Sequence, residues 1–171
     1  MHAYMPVRRT IRWRTTPPVV VGDVVLAAPL DSTALLAFDL AEGRVLWSLS
    51  DHQEAELFGS RQSYDHLVGA QGDTIYLGGP ELAALRCVGG LRAPSSWELA
   101  WRIPTPSALG SRTWLANGAL FVPDGAGRLR EFDARTGEER RVFASDATLG
   151  LLAQDTALFA VGGGTVERLE R

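Results

Sequence analysis

One unit limits the fold of this chain more than any other. Ala37-Phe38-Asp39-Leu40-Ala41-Glu42-Gly43-Arg44-Val45-Leu46-Trp47 starts in an apolar run, passes an Asp, turns at a Gly and leaves as a second run that reaches a Trp. The turn residues suit that path: Asp39 can accept a hydrogen bond from a backbone amide two residues on, and Gly43 can take positive φ without a Cβ clash. Ahead of the unit, residues 19–21 and 24–28 are rich in β-branched side chains and flank Gly22-Asp23, the pattern of a tight hairpin. With residues 35–38 and 44–48, this predicts four strands in meander order. A sheet so small cannot bury both of its faces alone, so it must stack on neighbours.

The rest of the chain supplies them. Turn pairs equivalent to Gly22-Asp23 stand at Gly72-Asp73, Asn117-Gly118 and Gln154-Asp155. Repeats of this length, without helical patterning, are characteristic of β-propeller blades rather than helical solenoids. Only residues 51–58 carry a helical pattern, enough for one or two turns. The expectation is therefore an all-β, single-domain chain (1–171) of about four four-stranded antiparallel blades, near residues 17–48, 64–103, 111–143 and 148–170. The fourth is one strand short. Residues 10–14 alternate polar and apolar and carry Trp13, placed as an outer strand would carry Trp47 or Trp101, so this N-terminal strand is expected to complete the last blade and remove an unpaired edge.

The pattern Ala-x-Asp-x-x-x-Gly-x-x-x-Trp, preceded by Pro-Val-Val-x-Gly-Asp-x-Val, resembles the pyrroloquinoline-quinone-like β-propeller repeat, most closely over residues 18–47 and in weaker form over roughly 10–170. The third copy keeps Asp133 and Gly137 but has Arg141 where Trp is expected; the second has Arg86 in place of Asp and an expanded turn over residues 88–97. The resemblance implies a propeller usually of six to eight blades, so three solutions follow: a closed four-bladed ring, a homodimer completing eight blades, or a piece of a longer protein. It also implies two roles. One is a scaffold of the outer-membrane assembly lipoprotein or sensor kind; the other is a quinoprotein dehydrogenase, which would require a calcium held by Glu and Asn, a catalytic Asp and commonly a vicinal cysteine pair.

Residue usage weighs against the second. Cys87 is the only cysteine and Asn117, committed to a turn, the only Asn. A single Cys also excludes an intramolecular disulfide and makes a zinc cluster a poor expectation. The net charge of −3 argues against a general nucleic-acid binder, which neutralises phosphates with a basic face; the local cluster Arg8, Arg9, Arg12 and Arg14 reads as a solvated strand. No apolar run approaches the roughly 20 residues of a membrane-spanning helix. With no signal-peptide pattern, a complete chain would stay in the cytoplasm.

No reactive constellation emerges. Gly162-Gly163-Gly164 lacks the Lys and helix of a phosphate loop, no serine sits in a nucleophile elbow, and Asp124 with Gly125 and Gly127 reads as a solvated turn rather than a calcium loop. A zinc site from His52, His66 and Glu54 or Glu56 would rest on loop proximity alone. No catalytic, cofactor or metal residue is assigned. Loops on a rigid scaffold are where recognition usually lives, so the long connector 49–63 and its neighbours supply the candidate partner-binding residues: His52, Glu54, Glu56, Arg61 and Tyr64, with Trp97 of the expanded turn as an exposed contact. Asp39, Gly43, Trp47, Trp13, Trp101, Asp133 and Gly137 are read as structural repeat positions, the tryptophans covering seams between blades. The function expected is a non-catalytic binding or scaffold module for a protein or small ligand, without a cofactor; the alternative is part of a quinoprotein-type oxidoreductase completed by another chain.

Overall fold

A computed structural model describes residues 13–14, 16–50, 53, 56–57, 64–105, 112–145, 150–154, 157–162 and 164–169. They form a four-bladed β-propeller. Blade 1 comprises β1 (Val19–Val21), β2 (Val24–Ala27), β3 (Leu35–Asp39) and β4 (Val45–Leu49). Blade 2 comprises β5 (His66–Gln71), β6 (Thr74–Gly78), β7 (Glu81–Val88) and β8 (Ser96–Pro104); blade 3 comprises β9 (Trp114–Ala116), β10 (Ala119–Pro123), β11 (Arg128–Asp133) and β12 (Glu139–Ala144). Blade 4 holds β13 (Gly150–Gln154), β14 (Ala157–Gly162) and β15 (Thr165–Leu169), three strands among the described residues. Each blade is an antiparallel meander. Within the span read as a helical turn, Gln53, Glu56 and Leu57 are helical.

The hairpin turns work as the sequence requires. Gly22, Gly72 and Gly118 have φ of 59, 61 and 71°, and Asn117 is the non-glycine residue at positive φ, 50°, among the described residues. Side-chain alternation then decides which face each residue joins. Between blades 1 and 2, Val24, Leu26, Leu35 and Ala37 pack against Ile75, Leu77, Ala83 and Leu85. Tyr76, Leu82 and Ala84 use the other face of blade 2 to meet Leu120, Val122 and Phe132 of blade 3, and Ala119, Phe121 and Leu129 of blade 3 meet Leu158 and Ala160 of blade 4. Blades 2 and 3 thus have apolar side chains on both faces, which explains the near-continuous burial of β6, β7 and β10.

The expected closing strand is described only at its end. Trp13 is 2% exposed within the cluster shared by blades 1 and 2, and the Arg14 N–H donates to the carbonyl of Asp65 at 2.6 Å. Trp13 is therefore not the outer-strand equivalent of Trp47 and Trp101: its segment runs beside the start of β5, where it caps the first seam. Residues 10–12 lie outside the described residues.

Candidate functional site

The two ends of the blades use their polar groups differently. At one end are the turns joining third to fourth strands. Asp39 Oδ1 accepts from the N–H groups of Ala41 and Glu42, both at 2.9 Å, and the Gly43 N–H donates to the Asp39 carbonyl. Asp133 repeats this with Arg135 at 2.7 Å, Thr136 at 3.0 Å and Gly137. The Glu42 N–H, followed by Arg92, holds the Asp39 carboxyl below its ordinary range. For Asp133, burial pushes upward, but the Thr136 N–H and Arg140 outweigh it and the net direction is down.

Tryptophan then ties the equivalent turns of blades 2 and 3 to the preceding blade. Trp101 Nε1 donates to the Ala134 carbonyl at 3.0 Å, and its indole lies on Gly137, where an added Cβ would come within 2.8 Å of the ring. Trp47 Nε1 donates to the Leu91 carbonyl at 2.6 Å. Leu91 belongs to the expanded turn of blade 2, which is a docking element rather than a free loop. From it Arg92 reaches both Asp23 and Asp39 of blade 1 at 2.5 Å, while Arg86 pairs with Glu98 across β7 and β8. Trp97 is correspondingly half-buried, edge-on to Trp47 with ring centroids 4.7 Å apart at 75°. The expectation of an exposed Trp97 contact does not hold, because the ring is spent on the blade 1–2 seam.

The opposite end carries the connector 49–63. Of its candidate residues, His52, Glu54 and Arg61 lie outside the described residues, and Glu56 is exposed. Tyr64 is 1% exposed and packs into the first cluster. Tyr64 precedes β5, whereas Trp97 pairs with Cys87, whose N–H donates to Asp73 beyond the other end of β5. These two candidates therefore stand at opposite ends of blade 2.

What the connector end does contain was missed from sequence. Asp65 Oδ2 accepts from Arg14 Nε at 2.7 Å and its Oδ1 meets His66 Nδ1 at 2.7 Å. A carboxylate in an ion pair only accepts, so Nδ1 carries a hydrogen, and in the neutral ring Nε2 is then the acceptor. His66 is 5% exposed, its ring lies over Gly78, and Nε2 meets no hydrogen-bonding group. Glu81 Oε2 and Thr105 Oγ1, at the same end of the blade, are also buried without a partner. Unsatisfied buried polar atoms are rare in folded proteins, and three near one blade end suit a polar ligand or ordered water. The adjacency Asp65-His66 was the available signal, but nothing local announces the pairing with Arg14.

Among the described residues, no three His, Cys, Asp or Glu side chains gather as a metal group. Asp124, the residue weighed for calcium, is held by Arg128 at 2.6 Å and Arg130 at 3.4 Å, and its Oδ1 accepts from Ala126 N–H. Burial drives the Cys87 thiol up to about 12, so it is no thiolate nucleophile.

The family model for the outer membrane protein assembly factor BamB matches residues 2–93, more than half of the chain. The chain belongs to that family. Its blades resemble those of BamB from Moraxella catarrhalis, with a TM-score of 0.58 at 15% identity over 89% of this chain and 45% of the other. The computationally designed Ika4 protein gives a TM-score of 0.60 at 13% identity, covering 94% of this chain and 93% of that one; the designed Ika8 protein gives 0.52 at 13%, covering 88% and 44%. This BamB-family chain thus spans less than half the length of the Moraxella protein, and at these identities the likeness is one of fold. No curated protein matches it in sequence.

Proposed function

We propose that this BamB-family chain is a non-catalytic binding or scaffold module that recognises a protein or small polar ligand at the end of the propeller bearing the connector 49–63. The observation that carries the reading is the contrast between the blade ends. Asp39 and Asp133 are consumed by turn amides and arginines, whereas His66 Nε2, Glu81 Oε2 and Thr105 Oγ1 remain available as acceptors at the connector end. A partner that brings N–H or O–H donors satisfies them. Protein is the favoured partner class, since BamB is by name an assembly factor.

The test has two arms. Affinity capture with the intact chain is compared with a variant in which residues 52–61 are replaced by a short Gly/Ser link; partners held only by the intact chain are expected, and identical recovery by both would overturn the assignment to this end. In the second arm the chain is incubated with pyrroloquinoline quinone and calcium and assayed for dye-coupled alcohol or sugar oxidation. No turnover is expected. Robust cofactor-dependent turnover would replace the scaffold reading with the oxidoreductase one.

A further inference from the structure

The four hairpin turns align the blades residue by residue. Val25 and Ala27 of β2 correspond to Ile75 and Leu77 of β6, to Leu120 and Val122 of β10 and to Leu158 and Ala160 of β14. The last six are buried because each lies against the preceding blade. Val25 and Ala27 are only partly buried, and on the same face of blade 1 Val20 is 57% and Val45 55% exposed. Blade 4 shows the complementary vacancy: Leu26, Tyr76 and Phe121 are buried against the following blade, but their equivalent Phe159 is only partly so, and beside it Leu152 and Val166 are 60% and 64% exposed. Glycine gives an independent sign. Gly137 is covered by Trp101 of the blade before it, whereas a Cβ on the equivalent Gly43 would meet nothing within 4 Å.

Blades 1 and 4 of one chain therefore do not cover each other at these positions. Among the described residues no blade covers either face, and each matches one half of a seam that the chain builds three times. We propose that a second copy of this chain covers both, blade 4 of each copy packing on blade 1 of the other, to form an eight-bladed two-fold ring. One copy owns one face of each kind, so two copies satisfy all four at once; such a head-to-tail contact closes when the rotation per chain is half a turn. The size is adequate: four strands at ~4.8 Å spacing and five residues at ~3.3 Å give roughly 300 Å² per face, and four faces give on the order of 1,200 Å², the lower bound for stable specific interfaces. Scattered exposed valines are ordinary, but two apolar sheet faces matched in register to internal seams mark an association surface.

Light scattering on the eluting protein decides it. The wild-type chain is expected at 37.0 kDa, twice its 18.5 kDa; a mass of 18.5 kDa throughout the accessible concentration range would overturn the proposal. Val45→Glu on blade 1 and Val166→Arg on blade 4 are each expected to give the monomer mass with an unchanged far-ultraviolet circular dichroism spectrum. Mixed in equal amounts, the two variants should recover the dimer mass, because one contact is then wild type on both sides and the other pairs Glu with Arg. A contact of blade 1 with blade 1, or of blade 4 with blade 4, gives no such rescue, and that result would overturn the head-to-tail arrangement. If either variant fails to fold, Leu152→Arg, at another exposed position on blade 4, and Val20→Glu on blade 1 serve in the same mixing test.

Discussion

Residues 39–43 and 133–137 fold into the same turn, with the same aspartate accepting from two amides and the same glycine at positive φ, 67° in one and 75° in the other. Their surroundings differ. The later turn lies under Trp101, with Arg140 of its own blade on the carboxylate; the earlier turn is open above Gly43 and receives Arg92 from the next blade. Local sequence therefore sets the conformation of the turn. Its contribution to stability depends on which blade reaches it, and this separates the two by experiment.

The largest effect is expected from Trp101→Ala, which empties the seam over Gly137 and should cost ~3–5 kcal/mol in chemical denaturation, as large aromatic truncations do. Trp101→Phe keeps the packing and loses the bond to Ala134, for about 1 kcal/mol. Next comes the glycine pair. Gly137→Ala meets both the left-handed backbone penalty and the indole, together ~3 kcal/mol, while Gly43→Ala meets only the first, ~1–2 kcal/mol. Equal losses would show that the neighbouring Trp is irrelevant to the turn.

Acid comes third. Asp39, Asp124 and Asp133 all titrate below the ordinary aspartate range in the folded chain. The fold therefore favours their charged forms, and the stability they add is present above the unfolded value and lost as pH falls through the lower folded values. Thermal melts should be flat above about pH 5 on this account and decline below about pH 4. Asp133→Asn should shrink that acid-dependent loss. The smallest effect is expected from the arginines, whose heads are partly exposed and screened. Arg140→Ala should slightly lower the melting temperature; Arg92→Ala should do the same and also speed amide exchange at Ala41 and Glu42, since its guanidinium crosses between blades.

Much of this architecture was legible because it is local. Asp39 to Gly43, the Gly-Asp and Asn-Gly hairpins and the alternation of β2, β3 and β14 are read from neighbours in sequence, and Trp47 and Trp101 declared themselves by recurring at one repeat position. What escaped depends on distance. Arg92 finds Asp39 and Asp23 across 53 and 69 residues, so the expanded turn read as a loop and Trp97 as a surface ring. Trp13 carried the right spacing for an outer strand, yet the pairing of Arg14 with Asp65 draws it to a different seam. The buried, half-bonded His66 was equally hidden, since its isolation results from Gly78 and from Arg14 holding Asp65.

The position of Cys87 makes the first seam measurable. It is fully buried between blades 1 and 2, and as the single thiol of the chain it gives any sulfhydryl reagent one target. Labelling can proceed only through openings of that seam, and its rate at fixed pH becomes a clock for how often blades 1 and 2 part while the remainder stays assembled. Loss of Arg92 should make that clock run faster, and loss of Arg140, which lies on blade 3 outside that seam, should leave it unchanged.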